Sequence, residues 1–304
     1  MSRKSLSVII VSYNCWNHIS ACLKSVFASD LKPDEIVVID NASVDKTPER
    51  LAESYGSGIR LVVNPVNTGH ARAVNQGLRL VNADRVLLLD ADTELKPDMI
   101  RLLCEFMDSH PGASMAAPRM YGPDGALHDS ARNFPSAING LFGRQSLLTR
   151  LFPRNRFSRR YLATDRSGDE TPFRVEHVSA ACMLFDRSVV GAAGLWDEGY
   201  SGYWVDADWC KRIGKSGGVI YCVPAAVVIH HEQNSRTRKK NPARIVSFHA
   251  GVYRFYRIHY TYGAWDPRSI AAAAFLALRA LSLLTINAFK KPQGLDADPL
   301  SIRK

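Results

Sequence analysis

The chain has 304 residues, 46% hydrophobic and 22% charged, with 39 Lys and Arg against 29 Asp and Glu, a formal charge of +10. That length buries a sizeable core in one large domain or two small ones, and the composition excludes a disordered or fibrous chain. The positive balance calls for an anionic partner, whether nucleic acid, anionic lipid or a phosphate-bearing substrate.

Residues 6–11 read as a buried strand. This apolar run is too short for a signal peptide and stops at Ser12-Tyr13-Asn14. Asn17 is placed to cap a helix through about residue 28, with Ile19, Leu23, Val26 and Phe27 on one side. Residues 35–40 are a second strand ending in Asp40, and Asp45 or Thr47 opens a helix with Pro48 in its first turn. Residues 59–63 form a third strand, 64–69 a loop of turn formers, 69–81 a helix and 85–89 a fourth strand. This alternation predicts an α/β fold: a Rossmann-like, doubly wound, mostly parallel sheet with helices on both faces. Asn14, Asp40, Asn67 and Asp90 then gather along the carboxyl edge of the strands, where open α/β sheets place their ligands.

At that edge the run Val86-Leu87-Leu88-Leu89 stops at Asp90-Ala91-Asp92. Carboxylates one residue apart point to the same side of an extended chain and repel unless a cation lies near them. A hard divalent ion, Mg²⁺ or Mn²⁺, carried by phosphate oxygens meets that need. The plainer alternative makes Asp92 a cap for a helix after Pro97. Asp40 is placed to accept hydrogen bonds from a ribose hydroxyl or a base N–H. Neither G-x-G-x-x-G after the first strand nor a P-loop occurs, which disfavours a nicotinamide or P-loop site.

Further on, residues 97–109 read as a helix, 113–117 as a strand and Gly122-Pro123-Asp124-Gly125 as a hairpin turn. Residues 136–170 mix arginines with aromatics and suit an anionic acceptor, a lipid surface or a solvated loop. Residues 175–185 read as one strand and 203–212 as the start of a helix carrying Asp206 and Asp208. Acids in a first turn complement the helix dipole, or one of them takes the proton of an acceptor hydroxyl. Residues 218–222 and 225–229 are short strands, followed by His230 and by Arg236, Arg238, Lys239 and Lys240, which could neutralise a diphosphate. Residues 244–262 read as a helix dense in aromatics and bases, and 268–290 as a long apolar one. In the latter Arg268, Arg279 and Lys290 recur about every three turns as one polar stripe. That suits a helix lying in a membrane interface, or one packed on the protein or on a second copy in a homodimer. The six cysteines form no C-x-x-C pair and read as reduced thiols of a cytosolic protein.

Ser7-Val8-Ile9-Ile10-Val11-Ser12-Tyr13-Asn14, Val38-Ile39-Asp40-Asn41-Ala42-Ser43, Asn67-Thr68-Gly69 with Ala73-Val74-Asn75-Gln76-Gly77, and Asp90-Ala91-Asp92 occur in that order. Together they resemble the family-2 glycosyltransferases, in particular the rhamnosyltransferase-like branch that builds bacterial surface polysaccharides, over about residues 5–260. The resemblance implies a GT-A fold, a nucleotide-diphosphate sugar donor and an inverting transfer to a glycan or lipid-linked acceptor. The expected division is a glycosyltransferase domain, 1–262, with a nucleotide-binding half 1–120 and an acceptor-side half 121–262, followed by the amphipathic, membrane-associating helix and tail, 263–304, read from its own apolar run and charge stripe. The resemblance also implies that Ser12, Tyr13, Asn14, Asp40, Asn41, Asn67, Gly69, Asn75, Asp90 and Arg236 bind the donor. Asp92, with Asp90 and His230, would hold the metal. Asp206 would be the base, with Asp208 supporting. Val205 stands where the family commonly has Glu, which motivates a second expectation, a nucleotide-sugar-binding protein without transfer activity; a membrane-surface scaffold is a third. Nucleic acid is disfavoured, because the basic residues are dispersed and no reading motif is present. The expected location is the inner face of the cell membrane, as a peripheral protein.

Overall fold

The computed structural model describes residues 3–128, 130–134, 166, 168–231 and 241–290. Arg236 with its basic neighbours, most of the segment 136–170 and the tail beyond 290 lie outside these residues.

The first half follows the expected alternation: β1 (Leu6–Ser12), α1 (Trp16–Ala28), β2 (Glu35–Asp40), α2 (Thr47–Tyr55), β3 (Arg60–Val63), α3 (His70–Leu80) and β4 (Arg85–Asp90). A short β5 (Thr93–Leu95) then precedes α4 (Met99–Ser109) and β6 (Ala113–Tyr121). Next come β7 (Ala131–Arg132), β8 (Phe173–Val175), β9 (His177–Val178), β10 (Cys182–Asp186) and α5 (Ser188–Ala193). The chain continues through α6 (Val205–Lys215), β11 (Val219–His230), α7 (Pro242–Tyr260) and α8 (Pro267–Ala288).

The main sheet runs β3-β2-β1-β4-β10-β6-β11-β5, with β8 also on β11. β1 to β4 are parallel where they pair. β10 enters antiparallel between β4 and β6, and β5 is antiparallel to β11. The sheet is therefore parallel on one side and mixed on the other. Strand side chains alternate between faces. Val8, Ile10, Val38 and Leu87 pack with α1, α2 and α4 on one side, and Ile9, Val37, Ile39, Leu88 and Met183 with α3, α5 and α6 on the other. α3 sits close on β1: a Cβ at Gly77 would lie 2.6 Å from Ile9 Cγ2.

Several boundaries differ from the sequence reading. α1 starts at Trp16 with no side-chain cap, so Asn17 lies inside its first turn. Asp45 does open α2, accepting from the Thr47 amide and hydroxyl. The stretch expected as one strand over 175–185 is divided among the end of β8, β9 and β10. The two strands expected over 218–229 are one strand, β11, with a register shift between Val223 and Val227 around Pro224, which cannot donate to a ladder. Asp92 does not cap a helix, because β5 intervenes and Asp98 stands at the start of α4.

The polar stripe expected on the long C-terminal helix is split between two sides. Ser269 and Asn287 are buried and Arg279 and Lys290 half-buried, on the side of α7, where Tyr253 Oη lies 3.2 Å from Ser269 Oγ. Ile270, Phe275, Leu278, Leu281 and Ile286 are exposed, as are Tyr262, Trp265 and Phe289 at the ends. Arg268 stands apart from that stripe, exposed and bonded to Asp266.

Candidate functional site

The carboxyl end of β4 carries Asp90, and the turn to β5 carries Asp92. β5 pairs with β11 so that His230 lies opposite Thr93, and the His231 amide donates to the Asp92 carbonyl at 2.9 Å. This register brings His230 Nε2 to 3.2 Å from Asp92 Oδ1. One ligand atom each from Asp90, Asp92 and His230 lies within 4.8 Å of the others. Two carboxylates and an imidazole at that spacing suit a divalent cation such as Mn²⁺ or Mg²⁺. The Asp90 and Asp92 side chains are 32% and 34% exposed, so the cluster is open to a ligand.

Asp206 reaches the same edge from the second half of the chain. The Asp90 amide donates to the Ala181 carbonyl at 3.0 Å, and the Ala180 amide lies 3.4 Å from Asp206 Oδ2. Adjacent residues before β10 thus hold an acid from β4 and an acid from α6. Asp208 points elsewhere. Its oxygens accept from His259 Nε2 and Arg212 Nε, both at 2.8 Å, and it is buried. The support expected from Asp208 is therefore structural, tying α6 to α7.

Burial pushes the Asp90 carboxyl above its ordinary value; His70 opposes this, and the charges of Asp92 and Asp206 add to it. At Asp92 burial acts the same way, but the bond and charge of His230 outweigh it and hold the carboxyl low. At Asp206 burial is outweighed by His177 and the Ala207 amide, which hold the group at about 2.

The nucleotide-side residues expected from the sequence form a connected wall at the ends of β1 and β2. Asp40 is fully buried; it accepts from Ser12 Oγ at 2.8 Å, Ser43 Oγ at 2.6 Å and the Ser43 amide at 2.8 Å. Asn14, at φ +48°, accepts from the Val44 amide at 2.7 Å. Tyr13 beside it is half-buried. Asn41 donates to Asn67 at 2.9 Å and accepts from the Thr68 amide, while Asn67 accepts from Gly69, whose φ of +87° opens α3. Asn75 is turned to the loop before α6. Its amide brackets Trp196, accepting from the Trp196 N–H and donating to its carbonyl, and also reaches Glu198. Val205 is buried in the apolar cluster under α6. The described cysteines are free thiols, and burial pushes those of Cys15, Cys210 and Cys222 up to about 12, which leaves them inert.

The sequence did not point to the histidines of this edge other than His230. His70 lies 4.0 Å from Asp90 and tilts against Trp196, and His177 lies 3.4 Å from Asp206. His70 directly follows Asn67-Thr68-Gly69, a signal that was available; His177 follows no motif.

The profile of glycosyl transferase family 2 matches residues 7–189. The chain belongs to that family. This glycosyltransferase is 30% identical over 287 residues to the N-acetylglucosaminyl-diphospho-decaprenol L-rhamnosyltransferase of Mycobacterium tuberculosis, covering 90% of this chain and 91% of that one. It is 29% identical over 197 residues to a poly-beta-1,6-N-acetyl-D-glucosamine synthase of Staphylococcus epidermidis, covering 64% of this chain and 42% of that one. Among solved structures it resembles GalNAc-T7 with UDP, GalNAc and Mn²⁺, with a TM-score of 0.61, 17% identity, and coverage of 84% of this chain and 48% of that one. It also resembles the mannosyltransferase PcManGT of Pyrobaculum calidifontis with GDP-Man and Mn²⁺, with a TM-score of 0.56, 18% identity, and coverage of 95% and 74%. The glycosyltransferase therefore has the GT-A fold that the motifs implied, followed by C-terminal helices.

Proposed function

We propose that this glycosyltransferase moves a sugar from a nucleotide-diphosphate donor, a deoxythymidine-diphosphate sugar such as rhamnose, to a lipid-linked or polysaccharide acceptor with inversion, in cell-surface polysaccharide synthesis. The observation that carries the reading is the meeting of Asp90, Asp92 and His230 with Asp206 at one sheet edge. The donor and acceptor classes rest on the M. tuberculosis relative, of which this chain covers 91%.

In this reading the nucleoside lies over Ser12, Tyr13, Asn14, Asp40 and Asn41. Asp40, fully buried, acts in this reading by fixing Ser12 and Ser43, whose hydroxyls and amide it holds at the base of the wall. Asn67 and Gly69 shape the adjoining wall, and Asn75 acts through the Trp196 loop. Arg236, beyond the described residues, is assigned to the diphosphate. A divalent cation held by Asp90, Asp92 and His230 would offset charge developing on the departing diphosphate. Asp206 accepts the proton of the acceptor hydroxyl as its oxygen attacks the anomeric carbon from the face opposite the leaving group.

α8 is assigned to a lipid surface at the inner face of the cell membrane. An 18-residue stretch of it has a mean hydropathy of 1.9, and the helix is long enough to cross a bilayer. Its α7-facing side carries Ser269, Arg279 and Asn287, which fits contact with lipid through one face rather than a crossing. Exposed Tyr262 and Trp265 at one end suit the headgroup level.

The test is transfer from dTDP-rhamnose to a polyprenyl-diphosphate-linked sugar by Asp206→Asn and Asp92→Ala. Loss of a general base removes roughly 10²- to 10⁴-fold in rate, and full activity in either variant rejects its assigned role. The buried Val205, an apolar group where the family has Glu, favours a second reading, donor binding without transfer. Calorimetric binding of donor with no transfer to any acceptor would establish it.

A further inference from the structure

Three acids stand at this edge, and each has a histidine within 4.0 Å: Asp92 and His230 at 3.2 Å, Asp90 and His70 at 4.0 Å, Asp206 and His177 at 3.4 Å. His230 belongs to the cation cluster, and His70 borders it. His177 is different, because it faces only the acid assigned to the acceptor side. It lies on β9, opposite Arg132 of β7. Its ring is parallel to that of Phe134 within 19°, at 6.4 Å, and Phe134 in turn stacks on Phe255 of α7 at 5.7 Å. The His177 side chain is 12% exposed, and its Nε2 is buried, without a hydrogen-bond partner among the described residues and 3.4 Å from Asp206 Oδ2.

Asp206 needs such a partner. Asp90 raises the local negative charge, Val205 ahead of it is apolar, and its other contacts are the Ala180 and Ala207 amides. A carboxylate held only by backbone amides at one edge can turn, and a side chain fixed beside it keeps its lone pairs aimed in one direction. The other charged groups around the pair are Arg132 on β7, Glu176 beside β9, and Lys211 on α6, which lies over Phe134 and Tyr260.

We infer that His177 is a positioning residue for the transfer: it holds Asp206 Oδ2 toward β9, so that the free lone pairs of the carboxylate face the acceptor hydroxyl. The inference rests on Asp206 being the base. In the transfer, the acceptor O–H bond breaks and its proton goes to Asp206. The acceptor oxygen bonds to the anomeric carbon, and the bond from that carbon to the diphosphate breaks with its electron pair on the nucleotide. His177 forms no covalent bond in this sequence; it fixes where the receiving carboxylate stands.

The experiment compares His177→Phe, His177→Gln and Asp206→Asn in the full chain, measuring kcat and KM for donor and acceptor across pH 5 to 9, with thermal midpoints. Phe keeps the ring stack on Phe134 but removes the nitrogen, and kcat is expected to fall roughly 10- to 100-fold with donor KM unchanged. Gln can donate to Oδ2 without charge. It is expected to regain most of kcat at pH 8, with KM for donor and acceptor unchanged. Wild-type kcat in a folded Phe variant overturns the inference, since packing alone would then suffice. Where the Phe variant does not fold, a folded Gln variant whose kcat stays as low as that of Asp206→Asn overturns it, since the donated bond would then not be what positions the base. Full activity in Asp206→Asn strikes the base assignment itself, whereas an inactive Asp206→Asn beside an active His177→Phe removes only the role of His177.

Discussion

Asp206 and Asp208 are two residues apart on α6 and have opposite fates. A helix turns about 100° per residue, so the second acid faces nearly away from the first. Asp206 meets the sheet edge, and Asp208 is buried between His259 and Arg212. Asp208→Ala would strand two bases in the interior, and a broken buried pair costs about 3–5 kcal/mol. The thermal midpoint is expected to fall, with donor binding retained in the folded fraction. Burial raises the Asp208 pKa, but His259 and Arg212 outweigh it and lower the folded value. Its stabilisation is therefore complete above the ordinary value near pH 4 and is lost as pH drops through the depressed native value. Acid titration of the fold in wild type and Asp208→Asn checks this: the variant should lose less stability across that window. At the cation cluster the sign is reversed for Asp90, whose carboxyl is raised. Binding of Mn²⁺ should then release protons and weaken as pH falls through the raised native value of Asp90, read by calorimetry in buffers of different ionisation heat. An affinity flat through that fall in pH would contradict the assignment.

At the scale of elements, the turn into α6 is the strained piece. Trp204 sits at φ +73°, a conformation costly for a bulky residue, directly before the helix that carries Asp206. Its ring packs on Phe248 and Phe255 of α7, and Gly251 of the same helix lets α7 approach. A Cβ at Gly251 would lie 2.6 Å from the Tyr203 carbonyl oxygen. Gly251→Ala must push α7 away or shift that turn, at about 1–3 kcal/mol for overpacking. The expected result is a lower thermal midpoint and a reduced kcat, with donor affinity unchanged because the β1 and β2 wall is remote from the clash. A fully active, fully stable Gly251→Ala would show that α7 does not support the turn.

At the scale of the molecule, α8 is inverted relative to a surface helix of a soluble protein. Ser269, Arg279 and Asn287 face α7, and Ile270, Leu278, Leu281 and Ile286 face outward. With a net charge of +10, the protein is suited to anionic lipid. Leu278→Glu with Leu281→Glu should abolish co-sedimentation with vesicles of phosphatidylglycerol while leaving hydrolysis of the donor unchanged. Retained co-sedimentation would reject the lipid contact, and a shift from dimer to monomer on substitution would assign this face to a second copy.

Sequence alone determined the parallel half of the sheet, because continuous apolar runs such as 6–11 and 86–89 fit a strand buried on both faces and end in turn-forming acids and amides. It also marked Asp40, Asp90, Asp92 and Asp206, since local motifs carry them. It could not reveal that β10 inserts antiparallel between β4 and β6, nor that this places Ala180 and Ala181 where Asp90 and Asp206 meet. Strand partners are chosen by long-range packing, which no local period records. The same limit hid the roles of His177 and Asp208 and the outward apolar face of α8. Which side of a helix or short strand turns inward depends on what lies against it, and only the tertiary fold supplied α7, β7 and Phe134 as those neighbours.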